Sequence, residues 1–231
     1  MNVVTWNMQG SNASTEVKWQ NGVLSMFTSI TNLTAMCLQE AGNVPDSAKL
    51  LFTTQIPKPS GGTEPVSVYS WGGTATRPFG FIVFHNWDTG GNRVNTAIVV
   101  KTLIAPTIAD VLLCWPAAGP THRPALGLQV SGEFLFSFHA ISGSGVDGAG
   151  MLTAIAAASG GNWYVGADWN CLPSVLAVPA GSITCPANGP TYASTNPTAM
   201  YDYFVRSGAV SATGSVSNLI LSDHLPVLFS F

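Results

Sequence analysis

Near its C-terminus the chain reads Leu221-Ser222-Asp223-His224-Leu225-Pro226-Val227. An imidazole takes or gives a proton near neutral pH, and a neighbouring carboxylate can bind a cation or raise that imidazole's pKa. The apolar run Leu225 to Phe231 predicts a final buried strand. The Asp-His pair therefore stands where a rigid element meets solvent. Taken alone, such a pair more commonly sits on an exposed turn that its Asp caps. Its weight depends on partners elsewhere, and other predicted strands end in residues of a matching kind: Asn7, Glu40, His139, and Asp168 with Asn170. Asp202 adds a further carboxylate. Oxygen ligands without cysteine suit Mg²⁺, Mn²⁺ or Ca²⁺. Two histidines suit a base and an acid on opposite sides of a reacting centre. Amides donate hydrogen bonds to an anionic oxygen without adding charge. Together this is equipment for metal-assisted phosphoester hydrolysis.

Each residue also has a bland reading. Glu40 is a solvated turn residue, His139 a satisfied core histidine, and Asp168 with Asn170 an Asx-turn. Asn7 is a strand-end cap and Asp202 a strand-edge residue. What sets these readings aside is the company the residues keep.

The elements that must position them are short. Val3 to Asn7 is a strand, followed by a polar loop from Ser11 to Thr15 and a helix from Glu16 to Ile30, with Val23, Leu24, Phe27 and Ile30 on one face. Leu33 to Leu38 is a buried strand that delivers Gln39-Glu40-Ala41-Gly42. Residues 43 to 65, rich in Pro, Gly and Thr, read as loop. Strands follow at Val66–Trp71, Gly80–His85 and Arg93–Val100, then from Thr121 to Val130 and at Phe134–His139. The last of these is apolar on both faces and so central. Met151 to Ala158 is an Ala-rich helix ended by Gly160-Gly161. Trp163 to Gly166 and Tyr201 to Val205 are strands, with loop between them over 171–198. Many short strands with two helices predict packed sheets flanked by helices in one α/β domain, 1–231.

Composition narrows the partners. Charged residues are only 8% of the 231, against roughly a quarter in ordinary domains. The net charge is −3, which argues against a broad basic face for nucleic acid. A polyanionic substrate would have to be held by a few placed arginines and a metal ion. No apolar run reaches transmembrane length. Met1-Asn2-Val3-Val4-Thr5-Trp6 already reads as a strand rather than a signal peptide, so the expectation is a cytoplasmic protein or one whose leader has been removed, and the lysine-poor polar surface points to secretion. Of four cysteines, Cys37 reads as a buried thiol. Cys171 and Cys185 flank a Pro/Gly loop and could form a disulfide contributing about 3 kcal/mol.

The order Trp6-Asn7, Gln39-Glu40, His139, Asp168-x-Asn170, Asp202-Tyr203 and Ser222-Asp223-His224 resembles the endonuclease/exonuclease/phosphatase superfamily, which includes pancreatic deoxyribonuclease. Within it the chain resembles more closely the catalytic B subunits of cytolethal distending toxins. Trp6-Asn7-Met8-Gln9-Gly10, Gln39-Glu40-Ala41-Gly42, Asn92-Arg93-Val94-Asn95, Arg123-Pro124-Ala125 and His139-Ala140 carry that likeness. The resemblance implies a four-layered sandwich of two packed, mainly antiparallel β-sheets flanked by helices. It implies Mg²⁺ (or Mn²⁺ or Ca²⁺) held by Glu40 and Asp223, and His139 as general acid. Asp168 and Asn170 would contact metal, water and phosphate, with Asn7 in support. Asp202 would orient His224, and Arg93 and Arg123, with Arg77 a further match, would contact DNA phosphates. It further implies a secreted, monomeric catalytic chain, with delivery subunits as partners, that nicks DNA in a target-cell nucleus. A phosphoinositide phosphatase on the same scaffold and an inert binding protein are the alternatives. Two departures stand out. No acidic residue precedes Tyr69-Ser70-Trp71 to pair with His139, the nearest being Glu64, and the Asp-x-Asn element carries an inserted Ala167 and an aromatic Trp169.

Overall fold

The structure is a computed structural model that describes residues 1–10, 15–74, 77–116 and 123–231. The expected polar loop 11–15 lies outside these residues except for Thr15, as do 75–76 of the 72–78 connection and 117–122 ahead of Arg123.

In chain order the strands are β1 (Asn2–Asn7), β2 (Leu33–Gln39), β3 (Lys49–Pro57), β4 (Thr63–Trp71), β5 (Gly80–His85), β6 (Thr96–Val100) and β7 (Val111–Cys114). They continue as β8 (Ala125–Val130), β9 (Glu133–His139), β10 (Trp163–Asp168), β11 (Ser182–Cys185), β12 (Asp202–Ser207), β13 (Ser215–Val216) and β14 (Val227–Ser230). They form two sheets, ordered β13-β14-β1-β2-β6-β5-β4-β3 and β11-β12-β10-β9-β8-β7. All pairings are antiparallel except β1 with β2 and β9 with β10. The central strands β5 and β6 are buried along their length, as continuous apolar runs covered on both faces should be.

The sheets pack face to face. Val3, Ala35, Cys37 and Val83 of the first share one core with Leu126, Leu135 and Val165 of the second. Gly166 is a point of close approach: a Cβ there would come within 2.9 Å of the Cys37 Cβ. On the far side of the first sheet Trp19, Val23, Met26 and Phe27 pack on Trp6, Met36, Leu38 and Ile82. These helical residues come from an α-turn (Thr15–Lys18), a π-helical stretch (Trp19–Leu24) and a second α-turn (Ser25–Ser29). Gly22 lets this segment lie against β1, since a Cβ would meet the Trp6 ring at 2.7 Å. The second helix, Gly148–Ser159, closes on Gly160 in the left-handed region, and contributes Met151, Leu152 and Ile155 to the core. The result is the expected α/β sandwich.

Three expectations are corrected. Residues 43–65 are not all loop: they hold β3 and the start of β4, a hairpin. Only Thr54 of the nine β3 residues is buried, so this edge strand had no apolar alternation to announce it. The four-residue β11 lies within 171–198. Cys171 and Cys185 are free thiols, each with its own neighbour: the Tyr203 hydroxyl lies 3.8 Å from Cys171 Sγ, and the Ala212 amide donates to Cys185 Sγ at 3.5 Å. Burial raises both thiol pKa values, which keeps them protonated and unreactive.

Candidate active site

Strand register assembles the site. In the second sheet Asp168 at the end of β10 is paired with His139 at the end of β9 on one side and with Asp202 at the start of β12 on the other. In the first sheet Asn7 and Gln39 are partners at the ends of β1 and β2, so Glu40 leaves beside Asn7. The two sheets meet at these strand ends through Asn7, whose Nδ2 donates to Asp168 Oδ2 at 2.9 Å and Glu40 Oε1 at 3.3 Å. Below them Gln39 Nε2 donates to Ser137 Oγ and Gly166 O, and Ser137 Oγ donates to Leu38 O. These bonds satisfy buried polar atoms and fix the spacing of the sheets.

The short motifs are locks between loops. Gly10 donates its N–H to Glu40 O at 2.7 Å; any Cβ on Gly10 would strike that oxygen at 2.4 Å. Glu40 itself sits at φ 46°, a left-handed backbone costing of order 1 kcal/mol that its surroundings must impose. Ser222 Oγ donates to Asn7 O at 2.7 Å, the Asp223 amide to Gln9 Oε1, and Trp6 Nε1 to His224 O at 3.1 Å. The last loop is thus tied to the first strand.

The two histidines face Asp168 Oδ2 from different sides, His139 Nε2 at 3.5 Å and His224 Nε2 at 3.7 Å. Both are buried. Behind His224, Nδ1 donates to Asp202 Oδ2 at 2.7 Å. Thr191 Oγ1 donates to the same oxygen at 2.6 Å, while Asp202 Oδ1 is buried without a partner. Burial works against charge on His224, but Asp202, then Asp168 and Asp223, outweigh it and lift its pKa to about 9. Behind His139 stands a guanidinium: Arg123 Nη1 lies 3.0 Å from Nδ1, and Nη2 donates to Ala140 O at 2.9 Å. Arginine has donors and no acceptor, so Nδ1 accepts and the ring proton sits on Nε2. Burial, then Arg123 and His224, push the His139 pKa well below the usual histidine range. The expected acid is elsewhere: Glu64 lies 3.3 Å from Lys58 and 3.5 Å from His85.

The carboxylates are crowded. Burial and the nearby Asp202 raise the Asp168 pKa, against His224, Asn7 and the Asn170 amide. Burial raises that of Glu40, with Asp223 adding to it and Asn7 and Arg93 opposing. Asn170 closes an Asx-type turn, its amide donating to Asp168 Oδ1 at 3.0 Å, and its side chain donates to Ala140 O. The cleft measures about 320 Å³ and is lined by Asn7, Glu40, His139, Asp168, Asn170, Asp223 and His224 among others. Arg93 is exposed, presented by a turn in which Asp88 accepts the amides of Gly91 and Arg93. Arg123 is half-buried, with its guanidinium bonded to His139 and Ala140. A larger hollow of about 590 Å³ beside Asn32, Phe79 and Leu103, at the other end of β2, has no carboxylate or imidazole among the described residues of its lining.

Sequence reasoning missed four participants. Lys18 is buried, and Nζ donates to Met8 O at 2.7 Å and Gln9 O at 2.8 Å; burial lowers its pKa, while Asp223 and Glu40 favour its charge. A lysine just before the buried Trp19, in a chain with so few charges, was the available signal. Thr191, Tyr192 and Tyr201 also reach the site, and nothing in the linear pattern marks them.

Fold and site together define a class. Residues 4–224 match the model of the Endonuclease/Exonuclease/phosphatase family, and the chain belongs to that family. Within it the chain is 27% identical over 252 residues to the B subunit of the cytolethal distending toxin of Escherichia coli, a match covering 97% of this chain and 89% of that one. It is 33% identical over 152 residues to a homolog of that toxin component from Salmonella typhi, covering 65% of this chain and 54% of the relative. The crystal structure of the Haemophilus ducreyi cytolethal distending toxin superposes with a TM-score of 0.81 at 28% identity, covering 99% of this chain and 96% of that one.

Proposed function

We propose that residues 1–231 form one catalytic domain that nicks DNA by divalent-metal-dependent phosphodiester hydrolysis. The observation that carries this reading is the pair of buried histidines, oppositely backed, facing one carboxylate at 3.5 and 3.7 Å. Similarity to the toxin B subunits supports a secreted catalytic chain, a monomer in itself, that works with delivery subunits and acts in the nucleus of a target cell.

The donor set fits a hard cation. Glu40 and Asp168 both have pKa values raised by burial, so their charges lack compensation that a cation would supply. The donors are oxygens, which suit Mg²⁺ or Mn²⁺ and also Ca²⁺. Glu40 and Asp223 would hold the ion, which when bound neutralises phosphate charge. His139, neutral with its proton on Nε2, donates a hydrogen bond that stabilises the leaving oxygen, which takes its proton from solvent water. Asp168, its pKa raised by burial and Asp202, accepts the proton of the attacking water, and the charged His224 beside it holds the developing negative charge. Asp202 fixes the His224 tautomer. Asn7 and Asn170 position Asp168, and Arg93 binds backbone phosphate from the rim. Arg123 acts on phosphate in the cleft through its field, while its hydrogen bonds go to His139 and Ala140.

The test is nicking of supercoiled plasmid with Mg²⁺, with Mn²⁺ and in chelator, beside phosphate release from phosphoinositide vesicles. Metal-dependent nicking without comparable lipid-phosphate release is expected. Full nicking in chelator refutes the metal assignment; lipid-phosphate release without nicking refutes the DNA substrate.

A further inference from the structure

Tyr192 lines the cleft and has no part in the chemistry above. Its ring centre lies 4.8 Å from that of His224, and it stacks on Tyr201 at 5.6 Å with 26° between the planes. Although one face rests on Tyr201, the residue is 36% exposed. The remaining lining residues are Asn, Glu, His, Ser, Gly and Asp, so the tyrosine pair is the only broad aromatic face among the described residues of the cleft that is not an imidazole.

The backbone that carries this ring is pinned on both sides. The Tyr192 amide donates to Ala199 O at 3.0 Å and the Ala199 amide returns to Tyr192 O at 2.8 Å. On the other side the Leu225 amide donates to Thr191 O at 2.9 Å and the Ser194 amide to Asp223 O at 2.7 Å. Tyr192 is therefore clamped between its own hairpin and the Ser222–His224 loop, one residue from the hydroxyl that holds Asp202. An aromatic ring already fixed in place loses little conformational freedom when a partner settles on it.

We propose that Tyr192, backed by Tyr201, is a stacking platform for the nucleobase next to the scissile phosphate, on the His224 side of the cleft. The proposal rests on the nuclease reading and adds a substrate preference to it. A phosphodiester bound among Asp168, His139 and His224 carries a nucleoside on each side, and the tyrosines offer a flat apolar surface on one side only. A base reaches that surface only after leaving its own stack. Single-stranded, frayed or mismatched sites should therefore be cut in preference to continuous duplex, with little base preference, because every base has a π-face. An inositol headgroup has none.

The experiment uses a short single-stranded oligonucleotide and a series in which one base at a time is replaced by a tetrahydrofuran abasic residue. Wild type, Tyr192→Phe and Tyr192→Ala are compared, with cleavage mapped at each bond. Tyr192→Ala should lower kcat/KM roughly 5- to 150-fold at bonds flanked by bases, while Tyr192→Phe keeps it. At bonds lacking the base on one fixed side, wild type should fall by the same factor and Tyr192→Ala should cost nothing more. A 2-aminopurine at that position should be quenched on binding to wild type in chelator, and not on binding to Tyr192→Ala. A loss that is the same with or without the base, or no loss, overturns the platform and leaves the nuclease standing. Phosphate release from phosphoinositide vesicles with no cleavage of any oligonucleotide overturns both.

Discussion

The site contains two buried imidazoles at nearly equal distance from one carboxylate, and they are tuned in opposite directions. His224 has Asp202 behind it and is pushed up to about 9. His139 has Arg123 behind it and is pushed down. Burial disfavours the charged form of both, so burial cannot be what distinguishes them. The largest difference is the backing residue, 2.7 Å behind the first ring and 3.0 Å behind the second, with Asp168 and Asp223 adding to the first. A carboxylate behind a ring makes it a charged donor and proton reservoir. A guanidinium makes it a neutral donor with its proton locked on the outward nitrogen. Two histidines at similar depth on one fold thereby acquire opposite charge preferences.

The comparison can be broken from the His224 side with the largest effect. His224→Ala should lower turnover by roughly 10²–10⁴, with the fold intact by circular dichroism, because the side chain stands ahead of β14 and not within it. Asp202→Asn should cost less, leaving the imidazole present but without its countercharge, and the two losses should not add. A folded His224→Ala protein that nicks at the wild-type rate would remove this residue from the mechanism.

A pH dependence of stability follows in the metal-free protein. The folded-state pKa of His224 is above its ordinary value, so the stabilising contribution is complete below about pH 6.5 and is lost as pH rises through about 9. Its full size is on the order of 3 kcal/mol. Denaturant unfolding in chelator should show wild type losing its advantage over Asp202→Asn between those limits; a constant gap across them would contradict the assignment.

From the other side, Arg123→Met should cost roughly 10- to 100-fold in kcat by releasing the His139 ring, corresponding to the loss of a charge-assisted hydrogen bond. Arg123→Glu should additionally let His139 become protonated near neutral pH. If either variant weakens DNA binding while leaving kcat unchanged, Arg123 is a phosphate ligand and not a positioning residue for His139. The smallest effect belongs to Arg93, which is exposed. Arg93→Ala should weaken binding evenly across sequences and reduce the salt slope by about one, and a loss confined to particular sequences would assign it to base recognition.

Much of this was legible in the chain because the groups proposed to be catalytic sit at the ends of apolar strands. Val3 to Asn7, Leu33 to Gln39 and Phe134 to His139 announce themselves, and the polar residue at each end is conspicuous against them. What was not legible depends on side chains meeting across the fold. Nothing adjacent to His139 in the sequence says that Arg123, sixteen positions earlier and ahead of another strand, will occupy the place where a carboxylate was expected. Thr191 is silent for the same reason: a hydroxyl acquires meaning only once Asp202 is buried beside it. The β3 edge failed differently, since a strand facing solvent on most of its length carries no periodic burial to read. The Cys171–Cys185 pairing was plausible by spacing alone, and spacing does not report that each thiol has its own packing partner.

The most direct test of the divided roles is a ¹⁵N-imidazole NMR titration of the metal-free protein, with His224→Ala and His139→Ala used to assign the two rings. His224 should be an imidazolium at neutral pH and lose its charge at about pH 9. His139 should remain neutral through the whole range in which ordinary histidines take up a proton, because burial and then Arg123 hold it well below that range, with its proton on Nε2 throughout. Both rings titrating together near the ordinary histidine value of about 6.5, or His139 carrying its proton on Nδ1, would contradict the account.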